Sequence, residues 1–186
     1  LIKQEEIVKN KINYNGKPRV AINPPWDGGF SWSKDNNDKP WIGVSCQGLG
    51  ASTWWPCKDH QSDEPDSMRI TYNVRSNLKT ISNGNLIKKL YAWNKELNDS
   101  VNVTEWLVSY PINNYNVTFY IGDYKKISDV YISSNDTLSL NYYVLSYNIE
   151  KAKKHFEQVK PMMSCFELYF GKYPFWNDGY ALIETS

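Results

Sequence analysis

The twelve-residue stretch WWPCKDHQSDEP, residues 54–65, gathers a thiol, an imidazole and several carboxylates. Cys57, His60 and Asp63 are residue types that bind zinc. Cys57 beside His60 is also a pairing that can activate a nucleophilic thiolate. Neighbouring carboxylates can act as general acid and base. The residue types alone therefore raise three possible chemistries for one short segment.

The zinc and nucleophile interpretations both lack necessary parts. A zinc centre needs three or four ligands, commonly with two histidines one helical turn apart. The only two histidines, His60 and His155, lie far apart in the sequence, and no HExxH pattern occurs. Cys57 and His60 lie on a predicted turn, where two side chains rarely reach a common atom, and nothing nearby supplies an oxyanion hole. We therefore expect neither a metal site nor a catalytic residue in this chain.

The acidic residues of the segment have a simpler explanation as a solvated loop or as caps for neighbouring backbone groups. The segment is then predicted to be a structural corner, formed by Trp54, Trp55, Pro56, Cys57, Asp63, Glu64 and Pro65. The three cysteines are an odd and sparse set, which favours buried thiols over a disulfide framework. A bridge between Cys46 and Cys57 is the one pairing left open.

The composition excludes several classes of function. Among 186 residues, 21 lysines and arginines offset 20 aspartates and glutamates, so the chain lacks the basic field typical of nucleic-acid-binding proteins. No apolar run approaches the roughly 18–20 residues that span a bilayer. The chain also has enough aromatic residues for a globular core, with 8 Trp, 14 Tyr and 6 Phe. We expect a soluble protein, and the sequence does not decide between the cytoplasm and the periplasm.

Most of the chain has the pattern of antiparallel strands. Turn-forming clusters such as NPPWDGG, KDNNDKP and SNGN separate short segments rich in β-branched and aromatic residues, including residues 69–74 and 115–121. The pair Asn83-Gly84 is the strongest hairpin signal, since both residues tolerate the positive φ of a type I′ turn.

A different period begins after Asn148, a candidate N-cap. Apolar residues recur every three or four positions, which predicts one long helix. These residues are Ile149, Ala152, Phe156, Val159, Met163, Phe166 and Phe170. Gly171 is a candidate stop, and Pro161 should bend the helix near its middle. The segment YPFWNDGYALIE then predicts a strand.

Five tryptophans in the β-rich part raise a binding function of another class. Exposed rings on one surface could stack against carbohydrate or hold a peptide, and these five are Trp26, Trp32, Trp41, Trp54 and Trp55. Because each ring buries on the order of 150–250 Å² in a core, the rings are more simply core residues. A stand-alone, aromatic-rich binding module remains the alternative function.

Several stretches, in order, resemble the gluzincin zinc aminopeptidases, the family of aminopeptidase N and the leukotriene hydrolases. PWDGGF, CQGLGASTWWPCKDH and DEPDSM are similar to the core of the family's N-terminal β domain, with four residues, 59–62, inserted relative to its usual FPC-x-D-E-P run. Residues 106–123 resemble its closing strands. YFGKYPF and DGYALIET resemble the start of its thermolysin-like catalytic domain.

The resemblance implies a mainly β fold: an antiparallel, saddle-shaped, β-sandwich-like domain, then a long Pro-kinked helix and a strand that begin a thermolysin-like α/β domain. Residues 1–126 would be the later part of the β domain and residues 127–186 the beginning of the catalytic domain, an internal fragment that stops before the zinc site. The parent would be a zinc aminopeptidase acting on peptide substrates. The fragment itself would bind no zinc, be inactive, and self-associate through uncovered strand edges and the helix face.

One substrate-binding residue is implied inside the chain. The family's T-Q-C-(Q/E) segment places a Gln or Glu beside the substrate's N-terminal amine, and residues 44–47, VSCQ, match it at Cys46 and Gln47. Gln47 would then accept a hydrogen bond from the ammonium. Ser45 departs from the pattern, which removes any contact expected from that position. The alternative role for Gln47 is to satisfy a buried strand or turn.

Overall fold

The computed structural model describes residues 8–58, residue 60 and residues 62–186. The described chain forms β1 (Gly29–Lys34), β2 (Pro40–Ser45), β3 (Met68–Arg75), β4 (Lys79–Ser82), β5 (Asn85–Asn94), β6 (Asp99–Val108), β7 (Phe119–Gly122), β8 (Tyr124–Ser133), β9 (Asp136–Leu145), α1 (Ile149–His155), α2 (Val159–Phe170) and β10 (Tyr180–Ile183). Strands therefore dominate, as the alternating pattern predicts.

The strands form three sheets. The first sheet has the order β1-β2-β7-β4 and the second the order β3-β6-β5, and both are antiparallel throughout. The third has the order β10-β9-β8, in which β8 and β9 are antiparallel but β9 and β10 run parallel. The prediction of a mainly antiparallel β fold is confirmed, and the strand that pairs in parallel, β10, follows α2.

Alternation along β9 separates two parts of the core. Tyr143 and Leu145 belong to a cluster with Trp41 and Trp106, which lie in the first and second sheets. Residues of the opposite parity pack against the helices, and this second cluster consists of Leu138, Leu140, Tyr142, Val159 and Met163. Because successive side chains of a strand point to opposite faces, β9 is buried on both sides.

The hairpin predicted at Asn83-Gly84 is wrong. These residues connect β4 of the first sheet to β5 of the second, so they join two sheets instead of reversing the chain within one. Gly84 has φ of 77°, and a Cβ there would lie 2.1 Å from the carbonyl oxygen of Leu107. The glycine serves this close approach. A two-residue turn with positive φ at both positions instead joins β8 to β9, at Ser134-Asn135.

The predicted long helix is divided before Pro161. A 3₁₀ turn, Phe156–Gln158, separates α1 from α2. A proline ring clashes with the carbonyl four residues earlier, which here belongs to Glu157 inside that turn. The interruption is therefore confirmed, but it lies one turn before the proline. Gly171 ends α2 with φ of 84°, as predicted.

Burial of the helical stripe stops part-way. Ala152, Val159 and Met163 are buried, whereas Phe166 and Phe170 are 51% and 83% exposed. The apolar period therefore continues beyond the part of the helix that packs against β9, and its last turn is uncovered in the described chain. Neither helix of the described residues is long and apolar enough to cross a bilayer.

A buried hydroxyl joins the first and third sheets. The indole N–H of Trp41 in β2 donates to the hydroxyl of Tyr124 in β8 at 2.8 Å, and that hydroxyl donates to the backbone oxygen of Glu184 at 2.8 Å. The side chain of Tyr124 is fully buried, and burial raises the pKa of its hydroxyl. The proton therefore stays in place to make the second bond.

The carboxylate of Glu184 continues this connection to the start of α1. It accepts hydrogen bonds from the backbone N–H of Leu145 at 2.7 Å and from the side-chain amide of Asn148 at 2.5 Å. Asn148 precedes α1 as predicted, but its side chain makes no capping bond, because the amide is turned to Glu184.

Replacing Tyr124 with Phe should destabilise the fold by about 1–3 kcal/mol, because it leaves the Trp41 N–H and the Glu184 carbonyl without this partner. Urea unfolding followed by circular dichroism measures the change. Tyr91→Phe is the matched control, since Tyr91 is 64% exposed and should change the free energy of unfolding by less than about 0.5 kcal/mol. Equal effects of the two changes would contradict the role assigned to the Tyr124 hydroxyl.

Candidate functional site

Gln47 lies just beyond the end of β2. Val44 and Cys46 are buried, whereas Gln47 is exposed. The loop before β1 runs against it: a Cβ on Gly28 would lie 3.2 Å from the backbone oxygen of Gln47. The hydroxyl of Ser45 donates to the backbone oxygen of Asp27 in the same loop at 2.7 Å. The backbone around Gln47 is thus fixed while its side chain faces solvent.

Asp27 holds this loop in place. Its carboxylate accepts hydrogen bonds from the backbone N–H of Ile22 at 2.8 Å and from the guanidinium of Arg19 at 3.0 Å. These hydrogen bonds hold the pKa of Asp27 below its usual range. The carboxylate is therefore ionised at neutral pH, which maintains both contacts.

The side chain of Gln47 meets Tyr115. The Tyr115 hydroxyl donates to the Gln47 oxygen Oε1 at 2.5 Å. Tyr115 lies in a 3₁₀ turn, Asn114–Asn116, and its backbone N–H donates to the side-chain oxygen of Asn113, the N-cap, at 3.0 Å. Asn114 is buried and donates to the backbone oxygen of Lys58 at 3.1 Å.

The pairing of Gln47 with Tyr115 is not visible in the sequence. The alternating pattern predicts a strand over residues 115–121, but β7 begins only at Phe119, so that prediction is wrong for the first residues. The pair of asparagines before Tyr115 is the signal that favours a turn, because an Asn side chain can replace a backbone acceptor at an N-cap.

The geometry leaves Gln47 able to bind a cation. An amide oxygen carries two acceptor positions, and the Tyr115 hydroxyl uses one of them. The second can accept from an ammonium group in solvent. Its exposure also means that Gln47 does not satisfy a buried strand or turn through its side chain.

The tryptophan corner lies beneath the strand that leads to Gln47. The Trp54 ring packs edge-on against Phe119 with centroids 5.3 Å apart, and contacts a buried cluster that includes Val44 and Ile121. The Trp54 and Trp55 rings are 6.3 Å apart. The backbone N–H of Gly50 donates to the oxygen of Cys46 at 2.9 Å. The corner thus packs against β2 and its C-terminal extension.

The remainder of the corner is a surface turn. Lys58 and Asp63 form an ion pair at 3.3 Å, and the His60 nitrogen Nδ1 lies 2.7 Å from the Ser62 hydroxyl. Asp59 and Gln61, two residues of the proposed insertion, lie outside the described residues. No group of three or more His, Cys, Asp and Glu side chains suited to a metal occurs among the residues that the structure describes.

The cysteines and tryptophans differ in part from expectation. All three cysteines are thiols, but only Cys46 is buried, while Cys165 is exposed. Trp41 is a core residue at 7% exposure, whereas Trp26 and Trp32 are 73% and 55% exposed. The five tryptophans therefore do not form one exposed surface, and the expectation that all are core residues is wrong for two of them.

No family model matches the chain, and no curated protein sequence matches it. Solved structures do. A two-domain M1 zinc metallopeptidase mutant bound to L-tryptophan superposes with a TM-score of 0.68 at 16% identity, over 90% of this chain and 36% of that one. The described chain has the fold of part of these metallopeptidases.

Two structures from Deinococcus radiodurans agree with this match. An M1 zinc metallopeptidase superposes with a TM-score of 0.65 at 14% identity, and a mutant bound to a Tyr-Ser-Ala substrate with a TM-score of 0.65 at 15% identity. Both cover 90% of this chain, which spans about a third of their length, 36%. The fold expected from the resemblance is thus confirmed for the β domain.

Replacing Trp54 with Ala should cost about 3 kcal/mol of stability, because it removes a ring packed on Phe119 and the Val44 cluster. Trp26→Ala is the matched control, as that ring is largely exposed and its loss should cost less than about 0.5 kcal/mol. Chemical denaturation of both variants measures the difference. A Trp54→Ala variant as stable as the unmodified protein would show that the corner does not support β2.

Proposed function

We propose that this chain supplies the β-domain wall of a zinc-dependent aminopeptidase, in which Gln47 binds the N-terminal ammonium of a peptide substrate. The observation that carries the proposal is the position of Gln47: exposed at the end of β2, with Oε1 oriented by Tyr115, within a fold that matches M1 zinc metallopeptidases. Two of those structures hold L-tryptophan and a Tyr-Ser-Ala substrate.

The role of Gln47 follows from charge and geometry. An ammonium group has three donors and no acceptor, so it binds to oxygens such as Oε1. When a substrate is held by its N-terminal amine, its first peptide bond lies at a fixed distance from that contact, and the later peptide bonds lie farther away. Gln47 would therefore fix the register of cleavage without taking part in bond breaking.

The described residues do not fit a zinc site, since they contain no suitable group of ligands. Any zinc would be held by other residues of the whole protein, and no step of the reaction is assigned to this chain. In this proposal the 186-residue chain alone is inactive. The boundary between β domain and catalytic domain is proposed near residue 126, which lies near the start of β8, Tyr124–Ser133; β8 and its partner β9 would then belong mostly to the catalytic domain.

The alternative, a stand-alone module that holds carbohydrate or peptide on its tryptophans, has less support. Trp32 stacks on Phe30 with centroids 5.7 Å apart, and Trp54 packs against the core. Trp41 is buried in the core, so only part of the tryptophan set is open to a ligand.

The experiment measures zinc content and release of an amino-acid chromophore for the 186-residue chain and for the natural protein that contains it. Zinc and activity in the natural protein, with neither in the chain alone, are the expected results. If the natural protein neither binds zinc nor cleaves, the similarity is one of fold, and the binding-module alternative takes first place.

In the natural protein, Gln47→Ala should raise KM for substrates with a free amine by about tenfold, the value of one charge-assisted hydrogen bond, with little change in kcat. Gln47→Glu keeps an acceptor and should retain a low KM. The free energy of unfolding should stay within about 0.5 kcal/mol, because the side chain is exposed. A Gln47→Ala variant with unchanged KM would exclude Gln47 as the amine-binding residue.

A further inference from the structure

A cleft of about 600 Å³ is lined by residues of β4 and β7 in the first sheet, by the end of β6, and by the segment that joins α2 to β10. One wall contains Ile81 and Val108, and the other contains Phe175 and Ala181. The residues of both walls are described by the structure, and Gln47 is not among them. This volume is within the range of sites that bind small organic molecules.

The charged groups of the cleft have one sign. Among the described residues that line it, Glu64 and Asp178 are acidic, and none is Lys, Arg or His. Glu64 is exposed and makes no hydrogen bond or ion pair with any described residue. A ligand that complements this lining carries positive charge.

Aromatic rings provide a second feature suited to a cation. Phe175 lies edge-on to both Tyr110 and Tyr173, with ring centroids 5.7 Å apart in each pair, and all three rings line the cleft. Aromatic faces attract ammonium groups through their quadrupole, most strongly where water is excluded. The same rings offer apolar area to the organic part of a ligand.

Hydrogen bonds between the two walls hold the cleft open in one geometry. The Asp178 carboxylate accepts from the backbone N–H of Ser109 at 2.9 Å and also from its hydroxyl. The Tyr110 hydroxyl accepts from the backbone N–H of Asn177 at 3.1 Å. A site formed before binding loses less entropy when a ligand enters.

We propose that this cleft binds an organic ammonium ion, with the charged group near Glu64 and the apolar body against the rings of Tyr110, Tyr173 and Phe175. Asp178 contributes negative charge while it holds the wall to Ser109. The cleft selects a cation with an attached apolar group over a neutral molecule of the same shape.

Phenethylamine, a cation at pH 7, and 2-phenylethanol, a neutral molecule of similar shape, are the probes. Titration of the ¹⁵N-labelled 186-residue chain gives both affinity and location from amide chemical shifts. Phenethylamine should bind about tenfold more tightly than the alcohol, and the largest shifts should come from Gly84, Ile112 and Gly179 of the cleft. Equal affinities, no binding, or shifts centred on Gln47 would overturn the proposal.

Two matched variants test the role of charge. Glu64→Gln should weaken phenethylamine binding at least about fivefold. Because the side chain is exposed, the substitution should leave the fold intact. Glu96→Gln removes the same charge from the exposed turn between β5 and β6 and should leave affinity unchanged. Equal effects of the two variants would show attraction by net charge alone and reject the site. Because the readout needs neither zinc nor cleavage, failure here leaves the proposed peptidase function untouched.

Discussion

The hydroxyl of Tyr124 is the contact on which the arrangement of the sheets depends. It accepts from Trp41 in the first sheet, belongs to β8 in the third, and donates to the residue that follows β10. One buried group therefore fixes the first sheet relative to the third, and through the carboxylate of Glu184 it also fixes the start of α1. A buried polar group costs free energy unless its hydrogen bonds are made, so this connection tolerates little displacement. The rings of Trp41, Trp106 and Tyr143, which belong to the same buried cluster as Tyr124, are therefore held in one relative orientation.

The candidate amine site depends on the other side of the first sheet. Val44, Phe119 and Ile121 form a buried cluster that the Trp54 ring covers, and Gln47 extends from the strand that this cluster anchors. Val44 and Cys46, before Gln47, are buried, whereas the side chain of Gln47 is exposed. The Tyr115 contact restricts the rotamers of Gln47 at little energetic cost to the fold, because both partners lie at the surface. A substitution at Gln47 should therefore leave the fold intact.

The sequence predicts element types better than their partners. Alternation of apolar residues identifies strands such as β3 because a half-buried strand requires it, and the apolar period identifies the helices for the same reason. The apolar pattern does not identify which sheet a strand joins. At Asn83-Gly84, for example, a glycine with positive φ suits a hairpin and a close approach to Leu107 equally well. The pairing of Gln47 with Tyr115 was equally hidden, because it joins residues far apart in sequence through a turn. Gln47 itself was proposed only through its resemblance to a family motif, since an exposed glutamine has no distinctive pattern of its own.

The last turn of α2 has a consequence for how copies of the protein behave in solution. Phe166, Leu168, Tyr169 and Phe170 are all more than half exposed, and they are distributed around most of the helix circumference. The formal net charge is only +1 at pH 7, so long-range repulsion between copies is almost absent at physiological pH. Apolar attraction at this helix end would then meet little electrostatic opposition, and added salt would change that balance little because there is little net charge to screen. Covering this turn of helix would remove one of the exposed apolar areas through which copies of the protein can associate.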